Sequence, residues 1–144
     1  MMSANRKRSG FTLVELAVVI VIIGVLAAFG VPRFLKSVER SKAAEAFQYL
    51  SAVRTAQERY VAKEGIYAGN ASVLDITQSA PKYFSVGALS ADNSVPGLPT
   101  WTMTLTRLSS SSSYGGYTVV FTNEGYSSGD SGIHSYSDIN PMGS

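Results

Sequence analysis

The N-terminal half of the chain shows two successive hydrophobic patterns. From Phe11 to Val31 the sequence is apolar almost without interruption, and Glu15 is its one charged residue. A helix rises about 1.5 Å per residue, so this segment is long enough to cross a bilayer. From Arg33 onward, apolar residues recur mainly at three- and four-residue steps, which indicates an amphipathic helix. Oppositely charged pairs such as Glu39 and Lys42 flank this stripe. Its apolar residues are Leu35, Val38, Phe47, Leu50, Val53 and Tyr60, with alanines in the longer gaps.

We expect both patterns to belong to one nearly continuous helix from about Thr12 to Glu64. Gly65 suits the left-handed conformation with which many helices end. Gly24 and Gly30 each cost the helix about 1 kcal/mol, and Pro32 costs about 3 kcal/mol and removes a backbone donor. The segment from the first of these glycines to the proline is therefore expected to be the weakest part of the helix, with a kink near the proline.

The sequence after Gly65 predicts a small antiparallel β-sheet. From Trp101 to Arg107 apolar residues alternate with threonine, as in a half-buried strand with Trp101, Met103 and Leu105 inward. The other expected segments are a helical turn at Val73–Ile76, a strand at Tyr83–Leu89, a loop at Ala91–Pro99, a solvated loop at Ser109–Ser113, a strand at Tyr117–Thr122 and an edge strand at Ile133–Tyr136. The predicted fold class is α+β: a long N-terminal helix, hydrophobic and then amphipathic, packed on a sheet of about three to four strands.

Charge is distributed unevenly along the chain. The net charge is +2, but residues 65–144 carry only two basic residues against five acidic ones. Nucleic-acid backbones are recognised by clustered lysine and arginine, so we expect no nucleic-acid partner for this part. Ahead of the apolar segment stand Arg6, Lys7 and Arg8, with no acid among the first ten residues. By the positive-inside rule, these three residues place the N-terminus on the cytoplasmic side of a membrane.

The apolar segment by itself is also compatible with a plain membrane anchor or a secretory signal peptide. Leu26, Ala27 and Ala28 resemble the neighbourhood of a signal-peptidase cleavage site. Signal peptides, however, have apolar regions of about 7–15 residues. Here sixteen uncharged residues run from Leu16 to Val31. The length therefore disfavours a signal peptide.

Glu15 is the most informative residue of the apolar segment. A carboxylate inside a membrane span costs about 2.5–3.5 kcal/mol on insertion scales, which indicates a functional role and a specific partner. Alternatively, Glu15 lies near the lipid headgroups in the first helical turn, where the helix dipole favours an acid. An amine in a dry helix bundle would suit it as a partner, because each charge is costly there alone.

A short motif surrounds this glutamate. The residues Gly10-Phe11-Thr12-Leu13-Val14-Glu15 follow a short basic leader and precede the apolar helix. The string resembles the processing motif G-F-T-L-x-E of type IV prepilins and pseudopilins, and with the helix it covers about a third of the chain. The resemblance implies that a membrane-bound prepilin peptidase cuts between Gly10 and Phe11 and that the new amine of Phe11 is methylated. It also implies that Glu15 pairs, in a filament, with the Phe11 amine of a neighbouring subunit.

The resemblance further implies a division into three regions. Residues 1–10 would be a leader peptide, residues 11–34 the transmembrane or filament-core half of the helix, and residues 35–144 a pilin-like periplasmic or extracellular domain that includes the second half of the helix. The resemblance also implies a proline at the place of Pro32 in family members, and a segment between Gly24 and Pro32 that can melt locally in assembled pili.

Location and partners follow from the same resemblance. The subunit is expected first in the bacterial inner membrane, as a single-pass protein with a cytoplasmic N-terminus. After assembly it is expected in a cell-surface pilus or a periplasmic pseudopilus. The implied partners are further copies of the chain in a helical filament, the prepilin peptidase and the inner-membrane assembly platform.

Three functions are compatible with these observations. The first is a structural subunit of a type IV pilus filament. The second is a major pseudopilin of a type II secretion system, which acts in protein export. The third, of a different class, is a minor pilin that binds DNA or a surface. The scarcity of lysine and arginine in residues 65–144 disfavours the third.

Candidate chemistry outside the N-terminal motif is sparse. The tail loosely resembles the C-terminal calcium loop of major pseudopilins, which makes Asp130 and Asp138 candidate ligands. Calcium prefers several oxygen ligands, so two carboxylates would form a weak site, and a polar surface tail is the alternative. His134 is the one histidine and the chain has no cysteine, so the spacing predicts no metal site or catalytic triad. We therefore expect a protein that is not an enzyme and needs no cofactor.

Overall fold

The computed structural model describes residues 10–109 and 113–143. Residues 1–9 of the predicted leader and Ser110–Ser112 of the serine run lie outside the described residues. The chain divides into two compact units, one ending at Leu35 and the other beginning at Lys36. Its elements are the helix α1 (Leu13–Glu64), a 3₁₀ turn (Ala71–Val73), the strands β1 (Phe84–Asp92), β2 (Thr100–Arg107), β3 (Thr118–Thr122) and β4 (Gly125–Tyr126), and a further 3₁₀ turn (Gly132–Ser135).

The bounds of α1 agree with the predicted helix at both ends. The amide of Leu16 donates to the carbonyl oxygen of Thr12 at 3.2 Å, so the first turn closes on Thr12. At the other end Gly65 has a φ of 77°, and its amide donates to the carbonyl oxygen of Val61 at 2.8 Å. This is the left-handed helix end expected of a glycine. Pro32 lies inside α1, and the expected kink and weakness around it stay a prediction.

The four strands form one antiparallel sheet in the order β1-β2-β3-β4. The second half of α1 packs on this sheet, which confirms the predicted α+β fold. Met103 of β2 lies between Leu89 of β1 and Phe121 of β3. Trp101 and Leu105 are buried together with Met103, as the alternation predicted. The buried apolar residues of α1 are Ala43, Ala46, Phe47, Tyr49, Leu50, Val53 and Ala56.

Strand β1 is longer and less regular than the sequence predicted. The strand expected at Tyr83–Leu89 continues to Asp92, and the following loop starts correspondingly later. The pairing of β1 with β2 shifts just after Val86, which marks a bulge that breaks the alternation of side chains. Gly87 lies at this bulge, and a Cβ atom there would be 2.6 Å from the carbonyl oxygen of Thr104. The close approach of the two strands therefore requires a glycine.

The segment Ile133–Tyr136 was expected as an edge strand, but its first three residues lie in the second 3₁₀ turn and Tyr136 follows that turn, so the prediction was wrong. Ser131 explains the difference. The amide of Val120 in β3 donates to Ser131 Oγ at 2.9 Å, so a side chain takes the place that another strand would occupy. Ile133 then lies in the core, where it is fully buried.

Two short elements also differ from the sequence prediction. Strand β4 was missed, because two residues are too few to show a period. The helical turn expected at Val73–Ile76 lies instead at Ala71–Val73, so the prediction was correct only for Val73. Asn70 determines this start, since its side-chain oxygen accepts the amide of Ser72 at 2.9 Å.

Glu39 was expected on the flank of the apolar stripe, but the structure buries it. Arg107, the last residue of β2, donates from Nε to Glu39 Oε1 at 2.7 Å and from a terminal nitrogen to Oε2 at 3.2 Å. The hydroxyl of Tyr117, just before β3, donates to Glu39 Oε1 at 3.0 Å. Arg107 also donates to the carbonyl oxygens of Tyr83 and Leu108. This network of charge-assisted hydrogen bonds joins α1 to one end of the sheet.

The network keeps Glu39 ionised. Burial by itself raises the pKa of Glu39, but the hydrogen bonds from Arg107 and Tyr117 and the charges of Arg107 and Lys42 outweigh it. The pKa of Glu39 therefore lies below its ordinary value of 4.5. The hydrogen bond to Glu39 likewise raises the pKa of Arg107. Burial and the nearby Glu39 charge raise the pKa of Tyr117.

Removing one partner of the buried pair should destabilise the fold strongly. In a fragment of residues 35–144, we expect Arg107→Met to lower the free energy of unfolding by about 3–5 kcal/mol, because Glu39 stays buried without its counter-charge. Urea unfolding followed by circular dichroism measures this. The double variant Glu39→Met/Arg107→Met should recover most of the loss, and Lys82→Met, at an exposed lysine, is the control. A loss for Arg107→Met no larger than that of Lys82→Met would contradict the prediction.

The same fragment should lose stability as the pH falls below about 5. The folded pKa of Glu39 is lower than the ordinary value of 4.5 that applies to the unfolded chain. The ionised carboxylate of Glu39 therefore stabilises the fold fully at pH values above the unfolded pKa. This stabilisation is lost as the pH falls through the lower, folded pKa. Asp138, whose pKa is lowered chiefly by its hydrogen bond with Lys36, acts in the same direction.

Unfolding curves between pH 7 and pH 3 test this expectation. Glu39→Gln should be less stable than the wild type at pH 7 but should show a flatter loss on acidification, because it has no carboxylate to protonate. Asp138→Asn is the matched comparison. If the free energy of unfolding of Glu39→Gln falls as steeply on acidification as that of the wild type, another group controls the pH dependence.

Candidate assembly site at the start of the helix

The predicted cleavage position lies in an accessible part of the chain. Gly10 and Phe11 precede α1 and are exposed, Phe11 with 86% of its surface accessible. The peptide bond between them is therefore outside any helix or strand. A peptidase needs this kind of access to the backbone.

Thr12 and Glu15 form a reciprocal cap at the first turn of α1. The amide of Thr12 donates to Glu15 Oε2 at 2.9 Å, and the hydroxyl of Thr12 donates to the same oxygen at 2.8 Å. In return, the amide of Glu15 donates to Thr12 Oγ1 at 3.2 Å. This is a capping box, in which two otherwise unpaired amides at the helix start are satisfied.

The capping box changes the interpretation of Glu15. Within a single chain its carboxylate already has hydrogen-bond donors, which supports the alternative that it belongs to the first helical turn. All the atoms of the cap lie after the Gly10–Phe11 bond, so cleavage at that bond leaves the cap intact. The sequence contained the signal, since a threonine followed three residues later by glutamate is the pattern of a capping box.

The helix that follows is apolar on all sides and uncovered. Every residue from Gly10 to Ser37 is exposed. The large apolar side chains from Phe11 to Leu35 have between 45% and 86% of their surfaces accessible. By length and composition, α1 is able to cross a membrane. A continuous exposed apolar surface of this extent marks contact with lipid or with other protein chains.

Gly24, Gly30 and Pro32 lie within this uncovered part. A Cβ atom at either glycine would meet nothing within 4 Å. Packing within the single chain therefore does not require the glycines. Their predicted role, a weak and kinked segment ending at the proline, stays a prediction.

The two candidate calcium ligands each have a different protein partner. Asp138 lies 3.1 Å from Lys36 Nζ and accepts the hydroxyl of Tyr114 at 3.0 Å. Asp130 accepts the hydroxyl of Ser127 at 2.7 Å. Among residues 10–109 and 113–143, no group of three or more histidine, cysteine or acidic side chains could hold a metal ion. Calcium binding therefore stays an untested prediction, and Lys36 supplies the positive charge beside Asp138.

Comparison with protein families gives a match at this site. The family described as the prokaryotic N-terminal methylation motif matches residues 5–31. The matched residues include Gly10, Phe11 and Glu15, together with the apolar segment as far as Val31. No solved structure matches the chain significantly.

Three curated relatives each match part of the chain. The type IV major pilin protein PilA of Myxococcus xanthus is 44% identical over 63 residues, which are 44% of this chain and 29% of that protein. The type IV narrow pilus major component PilA5 of Thermus thermophilus is 48% identical over 50 residues, 35% of this chain and 43% of that protein. The type II secretion system core protein G of Vibrio cholerae is 38% identical over 66 residues, 46% of this chain and 45% of that protein.

The matched stretch spans less than half the length of each of these curated relatives. The chain carries the N-terminal methylation motif of prokaryotic prepilin-type proteins. By their names, these three relatives are two type IV pilus subunits and a core protein of a type II secretion system. The resemblance inferred from Gly10 to Glu15 is thereby confirmed.

Proposed function

We propose that this chain is a structural subunit of a type IV pilus, assembled through α1 after its leader is removed. One observation carries the proposal: a capped helix with an uncovered apolar surface begins directly behind the Gly10–Phe11 bond. Such a surface is costly in water, and lipid or a bundle of identical helices would cover it.

In the first stage of the proposed pathway, α1 lies in the inner membrane. The basic leader stays on the cytoplasmic side and residues 36–144 are on the opposite side, in accord with the positive-inside rule. In this stage Thr12 supplies the hydrogen-bond donors of Glu15. Prepilin peptidase then cuts after Gly10, and the new amine of Phe11 is methylated.

In the second stage, the helix leaves lipid for a filament of identical helices. The amine of Phe11 on one subunit would pair with Glu15 of a neighbour. In a dry bundle an unpaired charge is strongly unfavourable, so registers that leave Glu15 or the amine alone are disfavoured. The pair thus contributes to the stagger between subunits as well as to their affinity.

A second candidate is a pseudopilin that acts in type II secretion. The similarity to core protein G of Vibrio cholerae favours it, since that match extends over 66 residues at 38% identity. Both candidates share processing and helix-driven assembly. Deleting the gene would distinguish them: loss of surface filaments supports the pilus, and loss of exported proteins with filaments intact supports the pseudopilin.

The mature N-terminus should be N-methyl-Phe11. Mass spectrometry of the N-terminal peptide from membranes and from sheared filaments measures this. Gly10→Val should leave the leader attached, because a larger residue obstructs the close approach of a protease to the backbone. A mature chain that begins at Phe29 would instead indicate a signal peptide, and an intact leader in the wild type would indicate a plain membrane anchor.

Glu15→Val should insert into the membrane and be processed normally but should assemble poorly. We expect the filament yield to fall at least about tenfold, because the Phe11 amine of the neighbour loses its counter-charge. Glu15→Gln separates charge from capping, since a glutamine can still accept hydrogen bonds from Thr12. Glu58→Gln, at an exposed glutamate further along α1, is the control. A normal filament yield from Glu15→Val would refute the pairing.

A further inference from the structure

Tertiary contacts of α1 begin abruptly at Lys36. Lys36 Nζ lies 3.1 Å from Asp138 Oδ2. One turn later Glu39 receives two hydrogen bonds from Arg107 and one from Tyr117. Before Lys36, by contrast, every described residue of α1 is exposed. The boundary between the two compact units falls at the same place.

The part of α1 before this boundary has little to keep it helical in water. It contains Gly24, Gly30 and Pro32, which together cost the helix several kcal/mol, on the order of 5 by summed propensities. Because Pro32 has no amide hydrogen, the hydrogen bond to the carbonyl of Ala28 is missing. A helix without tertiary contacts opens readily from such weak points, and opening spreads along the helix until it meets a stable contact.

We propose that the side chains of Lys36, Glu39, Arg107, Tyr117 and Asp138 form a helix clamp, which stops local unwinding of α1 before it enters the packed domain. The clamp holds two successive turns of the helix. Arg107 ends β2 and Tyr117 precedes β3, so the clamp fixes α1 to the two central strands of the sheet.

Apolar packing is weak where the clamp lies. The next buried side chains along α1 are Ala43 and Ala46, and the first large one is Phe47. Two alanines bury little apolar surface, and each buried methyl group contributes only about 0.8 kcal/mol. For about two turns after Lys36, the polar contacts are therefore the main attachment between the helix and the sheet.

Opening the helix at Glu39 would also leave charges without partners. Glu39 and Arg107 have 5% and 1% of their surfaces exposed. Pulling Glu39 out of the network leaves the guanidinium of Arg107 in the core without its counter-charge, which is far costlier than exposing an alanine. The clamp therefore resists the first step of unwinding, and the resistance does not depend on filament formation.

Hydrogen–deuterium exchange of the full chain in detergent micelles tests the clamp. Tyr117→Phe removes one hydrogen bond to the Glu39 carboxylate and keeps the aromatic ring. We expect amides of residues 37–43 to exchange about tenfold faster than in the wild type, because a hydrogen bond to a charged group is lost. Amides of residues 50–57, in the packed part of α1, should be unchanged. Asp138→Asn, which weakens the contact with Lys36, should act in the same direction.

Tyr126→Phe is the matched control, because it removes a phenolic hydroxyl on β4 that accepts a hydrogen bond from the Asn140 side chain. It should leave exchange in residues 37–43 at the wild-type rate. Equal acceleration of residues 37–43 and 50–57 by Tyr117→Phe would mean loss of global stability and would overturn the clamp. So would wild-type rates in residues 37–43 for both Tyr117→Phe and Asp138→Asn. Filament yield does not enter this measurement, so failure of the clamp is distinct from failure of the proposed function.

Discussion

The buried ion pair between Glu39 and Arg107 is the contact on which the packed part of the molecule depends. It places two opposite charges in a core otherwise built from apolar side chains and a few hydrogen-bonded polar groups. Each charge is tolerable there only in the presence of the other, because an unpaired charge in the core is costly. The large apolar side chains on the buried face of α1, among them Phe47, Leu50 and Val53, complete the attachment of the helix to the sheet.

The helix α1 has two parts that differ in composition: one is apolar on all sides, and the other packs on the sheet. Up to Leu35 it is apolar on all sides, as suits lipid or a bundle of like helices. From Lys36 it carries charge on one side and buries the other. The capping box of Thr12 and Glu15 lies in the apolar first part of the helix. It allows a carboxylate to lie at the start of an apolar helix with its hydrogen bonds satisfied.

The sequence was informative where a feature is local and periodic. The bounds of α1, the glycine at its end, the inward face of β2 and the processing motif could all be predicted. Features that depend on distant residues could not. Glu39 and Arg107 are 68 positions apart, and nothing near Glu39 indicates that an arginine would cover it. The bulge at Gly87 and the 3₁₀ turn around Ile133 likewise follow from neighbouring strands, which a linear pattern does not contain.

The hydroxyl of Ser131 at the side of β3 has a consequence for pairing with other chains. Exposed strand edges recruit strands from other chains and lead to amyloid-like stacking. Because Ser131 accepts the amide of Val120, that backbone group is denied to any foreign strand. That stretch of β3 is therefore closed within the chain itself, whereas β1 lies at the opposite edge of the sheet.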